Sequence, residues 1–189
     1  RSQTSSNAVE TSIDQVQQEI AAAKVYVDAS AEDLQTLLAT EDQATLPARY
    51  ELFSTSLDRL KTQREQLVSR ADDMLDRRQE YIANWRSTLE QLQNPALRQS
   101  AHDRMTSLSE QFSRIRQQVI EASFAMKPMI ETLEGVESTL SYDLRMSALE
   151  QVSEALPQTP LDTSDIEKQL SLAQQELAQL NENSITASR

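Results

Sequence analysis

From Val9 onward, apolar and small residues return every four or three positions: Val9, Ile13, Val16, Ile20, Ala23, Val27, Ala31, Leu34 and Leu38. Such spacing keeps side chains on one face of an α-helix. It predicts a first helix over residues 9–40, preceded by a disordered polar start at 1–8. The stretch ATEDQATLP (39–47) interrupts the pattern. Leu46 precedes a proline and is biased away from helical geometry, whereas Pro47 suits a first helical turn. A second helix over 47–93 carries the most regular stripe: Phe53, Leu57, Leu60, Arg64, Leu67, Ala71, Met74, Arg78, Tyr81 and Trp85. A flanking row of Val68, Leu75, Ile82 and Leu89 widens it, which implies burial against more than one neighbour.

Asn94 and Pro95 form the next start signal, an N-cap followed by a first-turn proline. The third helix is expected over 95–156 through Leu97, Ala101, Met105, Leu108, Phe112, Ile115, Val119, Ala122, Met126, Met129, Leu133, Val136 and Leu140. Its period persists across Pro128, which predicts a kink near 128, with the carbonyl of Phe124 losing its donor. Gly135, one heptad later, would ease the same bend. Beyond Leu140 the steps become fours at Leu144, Ala148 and Val152, a local change of supercoil. After ALPQTPLDTSD (155–165), Ser164 and Glu167 read as a capping box opening a last helix over 164–182, with a frayed tail at 183–189. Short connections make successive helices antiparallel. The expected fold is all-α: a single helical-bundle domain over 9–182, an elongated antiparallel coiled-coil rod of three long helices plus a shorter C-terminal one.

Composition sharpens this picture. One Gly, five Pro and 4% aromatic residues leave little material for tight turns, so a sheet of many short strands is excluded. The net charge of −12 opposes general binding to nucleic acid or anionic lipid, both of which need a cationic surface. No apolar run approaches the roughly 20 residues that cross a bilayer. Cysteine is absent, which removes disulfides, thiol chemistry and Cys-based metal sites. The opening RSQTSSNAVETS is polar and lacks an initiator Met, as expected of a chain whose targeting segment has been removed. Residues 7–46 hold eight acids and one base, while 47–94 hold eight of each, so salt bridges between the first two helices are expected.

Candidate chemistry is sparse. His102 is the only histidine, and Gln99 stands where a di-metal bundle would place a glutamate. Asp72, Asp76 and Glu80 cluster at helical spacing, but Asp73, Arg77 and Glu80 are placed to pair along a solvated face. No catalytic residue, metal ligand or cofactor is assigned. Arg64 and Arg78 lie two heptads apart in the core stripe, where they would set register or pair with acids of the first helix. Trp85, ending the stripe, would plug the core beside the corner. Met126, Pro128 and Met129 are the candidates for an adaptable partner-binding surface, since Met beside a kink can form a pliable groove.

Trp85, Leu89, Asn94, Leu97, Arg98 and Ser100, followed by Met126-Lys127-Pro128, Leu133, Leu140, Leu144 and Leu149, resemble the bacterial family domain of unknown function 2959. The resemblance spans roughly residues 10–180, although Ser141-Tyr142-Asp143 replaces the Lys-His-Asn that members tend to carry. It implies a helical protein of the Gram-negative envelope, periplasmic or anchored to the outer membrane through a lipoprotein signal. It implies no activity and supplies no catalytic residues. The expected role is a non-enzymatic scaffold or protein-interaction module. A periplasmic holdase-type chaperone and a membrane-associated curvature protein are the alternatives. Partners are a protein or a second copy of the chain, with no nucleic acid, and membrane contact only through a removed anchor.

Overall fold

The computed structural model describes residues 2–156 and 161–186. It is an all-α helical bundle of five helices: α1 (Ser2–Leu38), α2 (Leu46–Leu89), α3 (Pro95–Tyr142), α4 (Met146–Ala155) and α5 (Ser164–Thr186). No strand occurs among the described residues. The chain divides into two compact units: residues 1–20, 66–121 and 169–189 form one, and residues 21–65 and 122–168 form the other.

Burial along α1 follows a heptad. Its buried heptad positions are Val9, Ile13, Val16, Ile20, Ala23, Val27, Ser30, Leu34 and Leu37, with Ser12 buried beside Ile13. These steps alternate four and three without a slip, the 3.5-residue period of a coiled-coil seam. The sequence expectation had placed Ala31 and Leu38 at the end of this stripe; both are only half-buried. Ser30 takes the seam position instead because its hydroxyl donates to the Ser56 carbonyl on α2 at 3.2 Å, which satisfies it away from water. The stripe of α5 has the same period, with Ile166, Leu170, Ala173, Leu177 and Leu180 buried.

Contacts in each unit run oppositely along α2 and α3. In residues 21–65 and 122–168, Tyr50 meets Glu137 and Arg64 meets Ser123. In the other unit Asp72 meets Arg116 and Arg78 meets Ser109. Both sets are antiparallel, as the short connection at 90–94 requires.

The helix ends correct several sequence expectations. Residues 2–8, expected to be disordered, belong to α1. Thr45 caps α2: its carbonyl accepts from the Arg49 N–H at 3.2 Å, and the Asp42 carboxylate accepts from both its N–H and its hydroxyl. Leu46 is therefore helical despite preceding a proline, and its complete burial offsets that bias. At the next corner Asn94 caps α3 as expected, its Oδ1 accepting from Ala96 and Leu97 at 2.9 and 3.2 Å. Leu89 ends α2 four residues short of the expected 93, and the side chain of Arg98 closes the turn on the Leu92 carbonyl.

α3 continues through Pro128 and stops at Tyr142, so the expected single helix to residue 156 is two helices. The break at 143–145 is held by side chains standing in for lost helical hydrogen bonds. Gln43 donates Nε2 to the Leu144 carbonyl at 2.9 Å and accepts the Met146 N–H on Oε1 at 3.0 Å. Asp143 and Arg145 pair across the break, with Nη2 2.8 Å from Oδ2. The run of fours through Leu144 marked this break; it is not a change of supercoil.

α5 is capped one residue earlier than expected. The Glu167 N–H bonds the Thr163 carbonyl at 3.0 Å, and Ser164, the first helical residue, donates its N–H to Asp162 at 2.9 Å. Residues 183–186 lie in α5 rather than in a frayed tail, whereas 187–189 and the loop segment 157–160 fall outside the described residues.

Two of these caps carry a pH signature. Hydrogen bonds from Thr45 hold Asp42 below the usual carboxylate range, and those from Ser164 do the same for Asp162. A depressed folded value contributes stability that is complete above the unfolded value of about 3.9 and is lost as pH falls through the folded one. Melting temperature should therefore fall between pH 5 and pH 3, and the double variant Asp42→Asn/Asp162→Asn should show a flatter acid limb. Superimposable limbs would contradict the role of these caps.

Candidate functional site

The polar residues inside the α2 stripe are partnered by α3. Arg64 is half-buried and donates Nε to the Ser123 carbonyl at 2.8 Å. Arg78, also half-buried, reaches the Ser109 carbonyl and the Ser113 hydroxyl with Nη1, each at 3.1 Å. Burial lowers the pKa of Arg78, and its Nε is buried without a hydrogen-bond partner. Both arginines thus end on α3 backbone carbonyls, whereas the sequence had left acids of α1 as their alternative partners.

Pro128 gives the Arg64 contact a physical setting. A proline inside a helix has no N–H and crowds the carbonyl four residues earlier, here Phe124. The carbonyl that Arg64 uses, Ser123, is the immediate neighbour of that one. This link between α2 and the proline was invisible in the sequence, because the two residues lie far apart in the chain.

Met126 and Met129 lie in the seam, fully and almost fully buried. A partner could reach them only by opening α3 away from its neighbours. Pro128 is exposed, and the large apolar side chain exposed beside it is Phe124, 66% accessible. Trp85 is half-buried and stacks obliquely on Tyr81, with centroids 5.9 Å apart and planes at 50°. Leu97, across the corner, is 58% exposed, so the stripe does not close there as a sealed plug.

His102 is exposed. Of the carboxylate set, Asp72 pairs with Arg116 at 2.7 Å and Glu80 with Arg77 at 3.4 Å, while Asp76 is exposed; the neighbouring Asp73 pairs with Arg70 at 3.8 Å. Asp73 therefore uses Arg70 rather than the expected Arg77. Arg70 also meets Glu19 of α1 at 3.9 Å, the kind of pairing that the charge asymmetry of the two helices called for. Among the described residues no group of three or more His, Cys, Asp or Glu is placed to hold a metal, and no helix is long and apolar enough to cross a membrane.

This arrangement of three long helices, with the Trp85–Ser100 corner and Met126-Lys127-Pro128 inside α3, carries a family match. The model for Protein of unknown function (DUF2959) matches residues 3–182, nearly the whole chain. The chain belongs to that family. No curated protein and no solved structure matches it. DUF2959 is described by no function, so the side chains themselves carry the functional argument.

If the Pro128 distortion shapes the acceptor used by Arg64, the two residues are energetically coupled. A double-mutant cycle of Arg64→Met and Pro128→Ala, followed by denaturant melts, should give a coupling of about 0.5–3 kcal/mol. Pro128→Ala alone should hold or raise stability, since helix interiors favour Ala over Pro by up to about 3 kcal/mol. Strict additivity would show that Arg64 ignores the proline.

Proposed function

We propose that this protein is a non-enzymatic helical scaffold or protein-interaction module of the bacterial cell envelope, acting on a protein partner or on a second copy of itself. The observation that carries this reading is the division of labour between the two sides of its helices. Polar groups in the seam are engaged in helix pairing, as with Arg64, Arg78, Ser30 and Gln111, whose Nε2 donates to the Glu176 carbonyl at 3.4 Å. Large apolar side chains, by contrast, stand in solvent at Val25, Leu52, Leu97, Phe124 and Tyr142. Single exposed apolar residues are ordinary on any protein, but here they include two of the few aromatics in a chain with 4% aromatic residues. The envelope location, periplasmic or anchored at the outer membrane, follows the expectation attached to the DUF2959 resemblance.

Photo-cross-linkers placed one at a time at Val25, Leu52, Leu97, Phe124 and Tyr142, in the full-length protein in its native cells, test this. At least one position should give a discrete protein adduct in the envelope fraction. A soluble cytosolic distribution would contradict the location. Absence of an adduct at all five positions would contradict the interaction role.

A further inference from the structure

The outer face of α3 carries a second stripe, opposite its buried one. Phe124, Pro128, Glu131, Gly135, Ser138 and Tyr142 are all exposed, and their steps alternate four and three. They lie within the unit formed by residues 21–65 and 122–168. The stripe therefore keeps the 3.5-residue period that lets one helix follow another, on a side that the described residues leave exposed. It ends in two exposed aromatics, Phe124 at 66% and Tyr142 at 91%. Eighteen residues separate them, about 27 Å along the axis at 1.5 Å per residue.

Gly135 sits near the middle and is the only glycine of the protein. Gly is the poorest helix former apart from Pro, so its use inside α3 calls for a reason. Packing supplies none: a Cβ built at Gly135 meets nothing within 4 Å, and its φ is not positive. Besides easing the bend at Pro128, a missing side chain on a helix surface serves close approach by something outside the chain. The carbonyl of Gly135 accepts the Thr139 hydroxyl at 2.9 Å, so the backbone at this point has its polar group satisfied.

Charge selects the visitor. This unit holds seventeen Asp and Glu against eight Lys and Arg, net −9 of the chain's −12. On α3 from Phe124 to Tyr142 the cation is Lys127, and it lies 3.8 Å from Glu131 within the stripe itself. The carboxylates Glu131 and Glu134 are exposed along the same stretch, with Glu134 lying 3.8 Å from Lys61 of α2. A second copy of an equally acidic face would be repelled, whereas a basic one would be drawn to it.

We propose that the outer face of α3 between Phe124 and Tyr142 docks a cationic amphipathic helix of a partner protein. Its apolar side packs on the two aromatics, its Lys or Arg residues meet Glu131 and Glu134, and its backbone approaches closest at Gly135. The proposal rests on the interaction-module reading and names the surface and the partner chemistry. A helix of about five turns matches the distance between the aromatics.

The test uses the full chain and a labelled 21-residue synthetic helix with Leu at heptad a and d positions and Lys elsewhere, read by fluorescence anisotropy. A Leu/Glu helix of the same design is the counter-probe. Wild type should bind the Lys helix and not the Glu helix. Gly135→Leu leaves every charge in place and improves helix propensity, so it should melt at or above the wild-type temperature while binding at least tenfold more weakly. Gly135→Ala, a smaller obstruction, should fall between. Phe124→Ser/Tyr142→Ser should weaken binding similarly, and Leu52→Ser should not.

Equal binding by wild type and Gly135→Leu would reduce the effect to bulk charge attraction and overturn the site. A wild-type dimer by sedimentation that Gly135→Leu converts to monomer would overturn the cationic partner in favour of a second copy. Failure here combined with a cross-link at another position would remove this surface alone and leave the interaction-module reading standing.

Discussion

The fold depends on a single constraint: each long helix must bury residues at a spacing of 3.5. An ideal α-helix drifts away from that spacing by about 20° per heptad, and helices keep it only by winding around a neighbour. Holding the phase matters more than holding hydrophobicity. At Ser30 the seam accepts a hydroxyl rather than slipping to Ala31, whereas on α2 the half-buried Arg64 and Arg78 border the seam and Gln63, beside Arg64, is the buried residue. Ser30, Arg64 and Arg78 each place a polar atom on a carbonyl of the facing helix, although the Nε of Arg78 is buried without a partner. A buried polar atom left unpartnered, as that Nε is, costs stability.

Much of the architecture was legible in the sequence because a heptad is a local signal. The α2 stripe from Phe53 to Met74 is buried as its spacing indicated except at Arg64, which is half-buried while its neighbour Gln63 is buried, and Asn94-Pro95 opens α3 where its chemistry placed it. The failures have particular causes. At the end of α1, apolar Ala31 and Leu38 outweighed phase in the sequence reading, and phase prevailed in the structure. The break at 143–145 left a trace in the run of fours, but the residue that holds it, Gln43, lies about a hundred positions away. No local pattern could have revealed that partner.

The site residues show the same division. Arg64 and Arg78 were conspicuous as charges in an apolar stripe, yet their acceptors, the carbonyls of Ser123 and Ser109, belong to the backbone of a distant helix and have no sequence signature. Met126 and Met129 were attractive as a pliable groove, and the seam buries them. Pro128, Gly135, Phe124 and Tyr142 are among the residues exposed on α3 instead. The proline and the glycine are unfavourable for the helix that bears them.

The most direct measurement of the seam is cysteine scanning along α1, for which the chain offers a background free of cysteine. Single cysteines from position 27 to position 38, labelled with a maleimide under native conditions, report which side chains the seam protects. Protection should peak at 27, 30, 34 and 37, the positions that are buried in the structure. Peaks at 27, 31, 34 and 38 would mean that α1 follows its apolar residues instead of a fixed 3.5-residue phase, and would contradict the account.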